Sequence, residues 1–148
     1  MSDDVTIREA READLPAIVA MLADDALGKT RERYEEPLPE AYRAAFRAIQ
    51  AQAGNAVLVA EREGRVVGCL QLTVIPGLTR LGMNRAQIEG VRVASSERGR
   101  RIGERLVEQA IERSRQAGCG LVQLTTHASR ADAHRFTSGS AFKPVTSG

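Results

Sequence analysis

A strand, a basic glycine-containing turn and the start of a helix follow one another between Ile88 and Leu106, and this order constrains the fold most. The apolar strand ends at Val93, and helical spacing of apolar residues begins at Ile102. A helix that opens at such a turn directs unpaired backbone N–H groups past its first residues, where an anion binds. The turn also carries three arginines: Arg98, Arg100 and Arg101. The sequence therefore predicts a loop that binds a diphosphate.

One domain accounts for the length and the composition. The chain has 148 residues, of which 43% are hydrophobic, so we expect a single domain over 1–148. The 21 basic and 19 acidic residues leave a net charge of +2, which argues against nucleic acid as a partner. The sequence lacks the basic start and apolar run of a signal peptide, and no stretch approaches the roughly 18 apolar residues of a membrane span. We expect a cytoplasmic protein with no membrane partner.

Hydrophobic periodicity predicts strands and helices on both sides of the loop. Strands are expected at residues 5–10, 56–60, 66–75, 85–93 and 121–125, and helices begin near residues 14, 42, 102 and 130. Residues 24–39 read as a loop, 61–65 as a hairpin turn and 78–84 as a connector. The strands on either side of the helix at 102 are predicted to form a right-handed parallel βαβ unit.

The segment Arg98-Gly99-Arg100-Arg101-Ile102-Gly103 resembles motif A of the GNAT N-acetyltransferases, Gln/Arg-x-x-Gly-x-Gly/Ala, except that Arg101 stands where the motif has glycine. The order β-α-α-β-β-β-α-β-α from Val5 to Phe136 is also similar to that family. The resemblance implies an α/β fold, the GNAT acyl-CoA N-acyltransferase fold, with a mixed central sheet, helices on both faces, and final strands that are short or altered. It implies acetyl-CoA as the donor and no metal cofactor.

By this resemblance, the backbone of Val91 and Val93 binds the pantetheine arm, and the amides of the loop bind the diphosphate. The residues implied in binding acetyl-CoA are Val91, Arg92, Val93, Arg98, Gly99, Arg100, Arg101, Ile102, Gly103, Glu104 and Arg130. Gly90, within the preceding strand, suits a β-bulge that frees backbone groups from the ladder.

Glu89 is the candidate general base. An amine acceptor is mostly protonated at neutral pH and must lose a proton before its nitrogen attacks a thioester. Glu89 lies in an otherwise apolar strand just before the loop, and in GNAT proteins resembling this one an acidic residue here often takes that proton. The alternative is a carboxylate that faces solvent or pairs with Arg85 or Arg92.

The acceptor is expected to be a primary amine of a small molecule or a protein. Asp24, Asp25, Glu32, Glu35 and Glu36 would suit a cationic amine, and a solvated run of charges explains them equally well. His127 and His134 have no third ligand at zinc-like spacing, so no metal site is predicted. Cys69 and Cys119 sit in apolar surroundings and are expected to be free, unreactive thiols.

Residues 137–141, Thr-Ser-Gly-Ser-Ala, stand where the family normally has Tyr-Glu-x-Leu-Gly, whose tyrosine protonates the departing CoA thiolate. We interpret them as a short double frameshift over an ancestral Tyr-Glu-Arg-Leu-Gly. Thr137 is a weaker proton donor than tyrosine, so impaired activity is expected. A catalytically weakened CoA-binding regulator or partner-binding domain is the alternative function. A short or absent final strand pair is expected to leave a sheet edge that favours a homodimer.

Overall fold

The computed structural model describes residues 4–125 and 144–147. Five helical elements are formed: α1 Leu15–Leu22, α2 Gly28–Arg31, α3 Glu40–Ala51, α4 Thr79–Gly82 and α5 Ile102–Gln116. Six strands accompany them: β1 Thr6–Glu9, β2 Asn55–Arg62, β3 Arg65–Ile75, β4 Asn84–Val93, β5 Cys119–Thr125 and β6 Pro144–Ser147. Short 3-10 turns occupy Glu12–Asp14 and Ser95–Glu97.

The strands form one mixed sheet in the order β1-β2-β3-β4-β5-β6. The pairs from β1 to β4 are antiparallel, whereas β4 with β5 and β5 with β6 are parallel. The helix α5 connects β4 to its parallel neighbour β5, as the sequence predicts. Helices pack on both faces, α5 on one and α1 with α3 on the other.

The α5 face holds the larger hydrophobic cluster. Ile102 and Leu106 are at most 1% exposed and pack against β3 and β4. Gly68 of β3 lies beneath them, and a Cβ built there would be 2.9 Å from a methyl carbon of Leu106. The missing side chain at Gly68 therefore lets α5 lie close to the sheet.

The opposite face holds a second cluster, made by α1, α3 and the sheet. Val19 and Phe46 from the two helices pack near Val59 and Cys69 of the strands, and each of the four is at most 3% exposed. The apolar residues whose helical spacing predicts the first helix therefore face this cluster, as expected.

Some element boundaries differ from the prediction. The loop predicted at 24–39 contains α2. The connector at 78–84 contains the short turn α4, in which Arg80 and Leu81 have φ of +56° and +63° and so depart from right-handed helical geometry. The hairpin turn predicted at 61–65 narrows to Glu63 and Gly64, with φ of +53° and +76°. Positive φ at both central residues is typical of the two-residue turn that matches strand twist, so β2 and β3 run closer to the turn than composition suggests. In the described part of the chain no helix is long and apolar enough to cross a bilayer.

Candidate active site

A bulge interrupts β4 beside the predicted base. Cys69 of β3 pairs with Arg92 and Gln71 pairs with Glu89, so two residues of β4 lie opposite one residue of β3. The first of the two is Gly90, with φ of +67°, a conformation that favours glycine. The bulge predicted at Gly90 is confirmed.

The pairing of β4 with β5 ends just before the bulge. Their parallel pairing ends with Ile88 opposite Leu124, whereas β4 continues to Val93. The backbone from Glu89 to Val93, which includes Val91, thus lies past the last position that pairs with β5. An extended ligand arm can align with β4 there, as peptides align with the edge of a sheet.

The basic turn connects the end of β4 to the start of α5. After the 3-10 turn Ser95–Glu97, the chain is extended at Arg98 and takes positive φ at Gly99 (+88°) and at Arg101 (+61°). Arg101 is the N-cap of α5. Ile102 follows, 1% exposed, and fixes the start of the helix in the core. Arg101 thus has a left-handed backbone at the position where the GNAT motif that this turn resembles has glycine.

The other residues implied in this loop are exposed or half-buried. Arg98 and Gly99 are exposed, and a Cβ built on Gly99 meets no heavy atom within 4 Å, so the turn is open at this point. Gly103 and Glu104 are half-buried in the first turn of α5. Arg101 has a side chain that is 82% exposed, 3.9 Å from Oε2 of Glu104. The first turn of a helix carries unpaired N–H groups and partial positive charge, which suits an anion.

A buried carboxylate, which sequence reasoning missed, anchors the turn. Glu97 and Arg62 have side chains only 5% and 6% exposed, and Arg62 Nη1 lies 3.0 Å from Glu97 Oε1. Arg100 Nε is 3.4 Å from the same oxygen, and Arg65 Nη2 is 4.0 Å from Oε2. Glu97 therefore ties the turn to the β2–β3 hairpin. Its burial has no local signal, because its partner is 35 residues away in the chain.

Glu89 is half-buried and accepts a hydrogen bond of 2.8 Å from Nε2 of Gln87. Arg85, one of its alternative partners, instead donates to Gln123 Oε1 at 3.1 Å. Sequence reasoning also missed Gln87, although residues two apart on a strand share a face. The amide of Gln87 orients the carboxylate beside the bulge.

The side chain of Arg92 lies on the face covered by α1. Arg92 pairs with Cys69 across the strands, and its Nε is 3.3 Å from Oδ2 of Asp25 in the segment after α1. Nη1 of Arg92 also donates to the carbonyl oxygen of Val91 at 3.0 Å. This guanidinium therefore has described partners other than Glu89.

Further acidic residues of the 24–36 segment bind groups of the chain itself. The Tyr42 hydroxyl donates to Glu32 Oε1 at 2.8 Å, and burial raises the pKa of this phenol. Glu35 pairs with Arg33 at 2.9 Å on the surface. Together with the Asp25 pair, these contacts engage three of the five carboxylates that were considered for a cationic acceptor.

A cavity of about 180 Å³ lies between the sheet, α1 and α3. Its walls are mainly aliphatic and aromatic, with Leu22 and Phe46 among the contributing helical residues. At the sheet it reaches Gln71 and Gly90. The cavity thus ends at the bulge.

The two cysteines are buried thiols. Burial raises the pKa of Cys69 to about 12 and also raises the pKa of Cys119, so neither is a thiolate at neutral pH. Among residues 4–125 there is no cluster of three metal-ligating side chains. Outside the described residues lie His127, Arg130, His134 and Thr137, together with the helix expected to begin near residue 130 and the rest of segment 137–141.

Comparison with known proteins gives concordant matches. Residues 19–140 match the model of the acetyltransferase (GNAT) family. The chain is 32% identical over 130 residues to the aminoalkylphosphonate N-acetyltransferase of Salmonella typhimurium, a match that covers 88% of this chain and 79% of that protein.

Solved structures agree on the fold. A transcriptional regulator from Bacillus halodurans C-125 superimposes with a TM-score of 0.87 at 52% identity, covering 95% of this chain and 93% of that chain. A putative acetyltransferase from Agrobacterium tumefaciens gives a TM-score of 0.79 at 31% identity, covering 97% and 96%.

Proposed function

This chain belongs to the GNAT acetyltransferase family, and on that premise we propose that it transfers the acetyl group of acetyl-CoA directly to a primary amine, with Glu89 as the general base. The observation that carries the proposal is the bulge at Gly90, because it follows the last residue of β4 that pairs with β5 and precedes the basic turn. This arrangement offers backbone groups to an extended arm and helical N–H groups to a diphosphate.

The residues present fit acetyl-CoA. We propose that Val91, Arg92 and Val93 contribute backbone along the arm. Residues 98–104 form the diphosphate loop in this proposal: Arg98, Gly99, Arg100, Arg101, Ile102, Gly103 and Glu104. The open turn at Gly99 supports it, as does the positive end of α5. Arg130 is included from the resemblance alone.

The reaction proposed is a direct transfer. Glu89 takes a proton from the ammonium, directly or through a water, and the nitrogen then attacks the thioester carbonyl carbon. A carbon–nitrogen bond forms, the carbon–sulfur bond breaks, and the CoA thiolate takes up a proton. The hydrogen bond from Gln87 holds the carboxylate in one orientation for this step. The high pKa of Cys69 argues against an acetyl-cysteine intermediate.

Binding and turnover test the proposal separately. Calorimetric titration with acetyl-CoA is expected to show binding that Gly103→Trp, which fills the loop, abolishes. Release of CoA thiol with a panel of primary amines then measures transfer, and the panel includes an aminoalkylphosphonate because of the curated relative. If acetyl-CoA does not bind to the unaltered protein, the acetyltransferase proposal fails.

Replacing the proposed base gives a sharper test. Glu89→Gln is expected to lower kcat about 10²–10⁴-fold and to leave acetyl-CoA affinity unchanged. The matched control is Glu108→Gln, the same change at an exposed position of α5. Equal activity in the two variants would remove Glu89 from the mechanism.

A regulatory function is the second candidate, favoured by the 52% identical structure that is called a transcriptional regulator. In that case the chain binds acetyl-CoA but turns over no amine. Thr137→Tyr distinguishes a weakened enzyme from a binding protein, because a restored proton donor raises turnover only where the catalytic site is otherwise complete. The single sheet with a hydrophobic cluster on each face supports one domain over 1–148. A cytoplasmic homodimer remains part of the proposal.

A further inference from the structure

We infer that the acceptor is a small amine whose non-reacting part is an uncharged, apolar group about the size of a phenyl ring. This inference rests on the proposed acetyl transfer and names its substrate class. It follows from the cavity between α1, α3 and the sheet, which ends at the Gly90 bulge.

The volume of the cavity sets the size of the group. At about 180 Å³ it slightly exceeds the roughly 150 Å³ of a dry apolar cavity that holds benzene. A group of six or seven carbon atoms fills such a space, whereas a methyl or ethyl group leaves most of it empty. Unfilled apolar volume forfeits dispersion contacts, so the larger group is favoured.

The side chains that line the cavity indicate the polarity of the group that fits there. The described residues that line the cavity include no charged side chain, and most are aliphatic or aromatic, such as Ile18, Phe46 and Ile49. The nearby carboxylates of Asp25 and Glu32 bind Arg92 and Tyr42. A second ammonium in this space would lose hydration without gaining a partner among the lining side chains. A phosphonate would have to displace Asp25 from Arg92, the cross-strand partner of Cys69, to gain one. The cavity therefore disfavours both polyamines and aminoalkylphosphonates.

The position of the cavity places the reacting nitrogen near Glu89. Gln71 lines the cavity and is the direct cross-strand partner of Glu89. Such partners have Cβ atoms about 4.5–5.5 Å apart. An amine joined by a short tether to a ring in the cavity thus reaches the carboxylate beside the bulge.

The experiment compares kcat/KM for four amines with acetyl-CoA: 2-phenylethylamine, ethylamine, spermidine and 2-aminoethylphosphonate. We expect 2-phenylethylamine to exceed ethylamine by at least about 100-fold, since a single methylene in an apolar pocket already contributes about 10–200-fold to discrimination. Spermidine and 2-aminoethylphosphonate, which carry charged groups besides the reacting ammonium, are expected to fall below ethylamine.

Three variants of α3 show whether the cavity causes the preference. Ala45 lines the cavity at its exposed edge, and Ala45→Phe is expected to lower kcat/KM at least 10-fold more for 2-phenylethylamine than for ethylamine. Ala48→Phe, at an exposed position that does not line the cavity, is the control. Ile49→Ala enlarges the cavity and is expected to shift the preference toward bulkier amines.

The outcomes separate the inference from the proposed function. Preference for 2-phenylethylamine that Ala45→Phe removes supports the inference. Acetylation of spermidine or 2-aminoethylphosphonate in preference to 2-phenylethylamine overturns it and leaves the acetyltransferase proposal standing. Equal effects of Ala45→Phe and Ala48→Phe also overturn it. Acetyl-CoA binding without acetylation of any amine overturns the proposed function, and this inference falls with it.

Discussion

Arg101 offers a direct test of the backbone geometry at the start of α5. Its φ of +61° and ψ of +26° are left-handed, which costs an L-residue with a Cβ about 1–2 kcal/mol. Arg101→Gly removes that cost, and the greater freedom of glycine in the unfolded chain offsets about 0.4–1 kcal/mol of the gain. We expect Arg101→Gly to raise the free energy of unfolding by about 0.5–1 kcal/mol relative to Arg101→Ala.

The alanine variant is the matched control, because both substitutions delete the guanidinium and its 3.9 Å contact with Glu104. Only glycine also removes the Cβ. Urea denaturation measures the difference in free energy, and thermal denaturation is expected to show a Tm about 1–4 °C higher for glycine. Both variants are expected to change acetyl-CoA affinity equally. Glycine that is no more stable than alanine would refute the left-handed assignment at Arg101.

Three further perturbations test other contacts. Glu97→Gln removes the buried carboxylate that pairs with Arg62 and leaves Arg62 only its longer, 3.5 Å contact with the exposed Glu63. We expect a cost of about 3–5 kcal/mol in urea denaturation, more than for replacing Arg62 and Glu97 together by leucine, and the reverse order would contradict the anchoring role. Hydrogen bonds from Arg8 lower the pKa of Asp14, so the ionised carboxylate stabilises the fold above its ordinary pKa near 3.8, and this stabilisation is lost as pH falls through the lowered value. Asp14→Asn is therefore expected to be less stable than the unaltered protein at pH 6 and to lose less stability on acidification. Parallel profiles of unfolding free energy against pH would contradict this. Gln87→Leu removes the hydrogen bond to the Glu89 carboxylate and is expected to lower kcat about 10-fold with unchanged acetyl-CoA affinity. A loss of folding would lower both kcat and acetyl-CoA binding, so the two causes can be told apart.

The backbone geometry at which we propose that acetyl-CoA binds could be predicted, because the sequence signals for it are local. The bulge at Gly90 follows from a glycine within a β-branched strand, and the start of α5 follows from helical spacing at Ile102 and Leu106. These residues are close in the chain, so their relative placement depends little on the rest of the fold. The parallel pairing of β4 with β5 follows from the intervening helix.

Contacts between distant segments had no such signal. The pair of Arg62 with Glu97 joins a hairpin to a loop, and each residue alone reads as an exposed charge in a polar turn. Asp25 and Glu32 also read as available carboxylates, yet the fold binds them to Arg92 and Tyr42. Charge composition gave the number of carboxylates and left open which of them a ligand can reach.

The cavity proposed to hold the acceptor shows why hydrophobic periodicity alone does not distinguish residues of the core from residues that line a pocket. Ile18 and Leu22 of α1 belong to the apolar face predicted from the sequence, and both line the cavity beside Gly90. Their spacing requires only that they face an apolar space, which either protein or ligand atoms can fill. Whether protein fills it depends on how closely α1 and α3 approach the sheet, and the cavity of about 180 Å³ shows that they do not close it. The substrate class that we propose therefore rests on a volume that no single segment of the sequence determines, so cavity-filling at Ala45 tests it more directly than changes to the acidic segment.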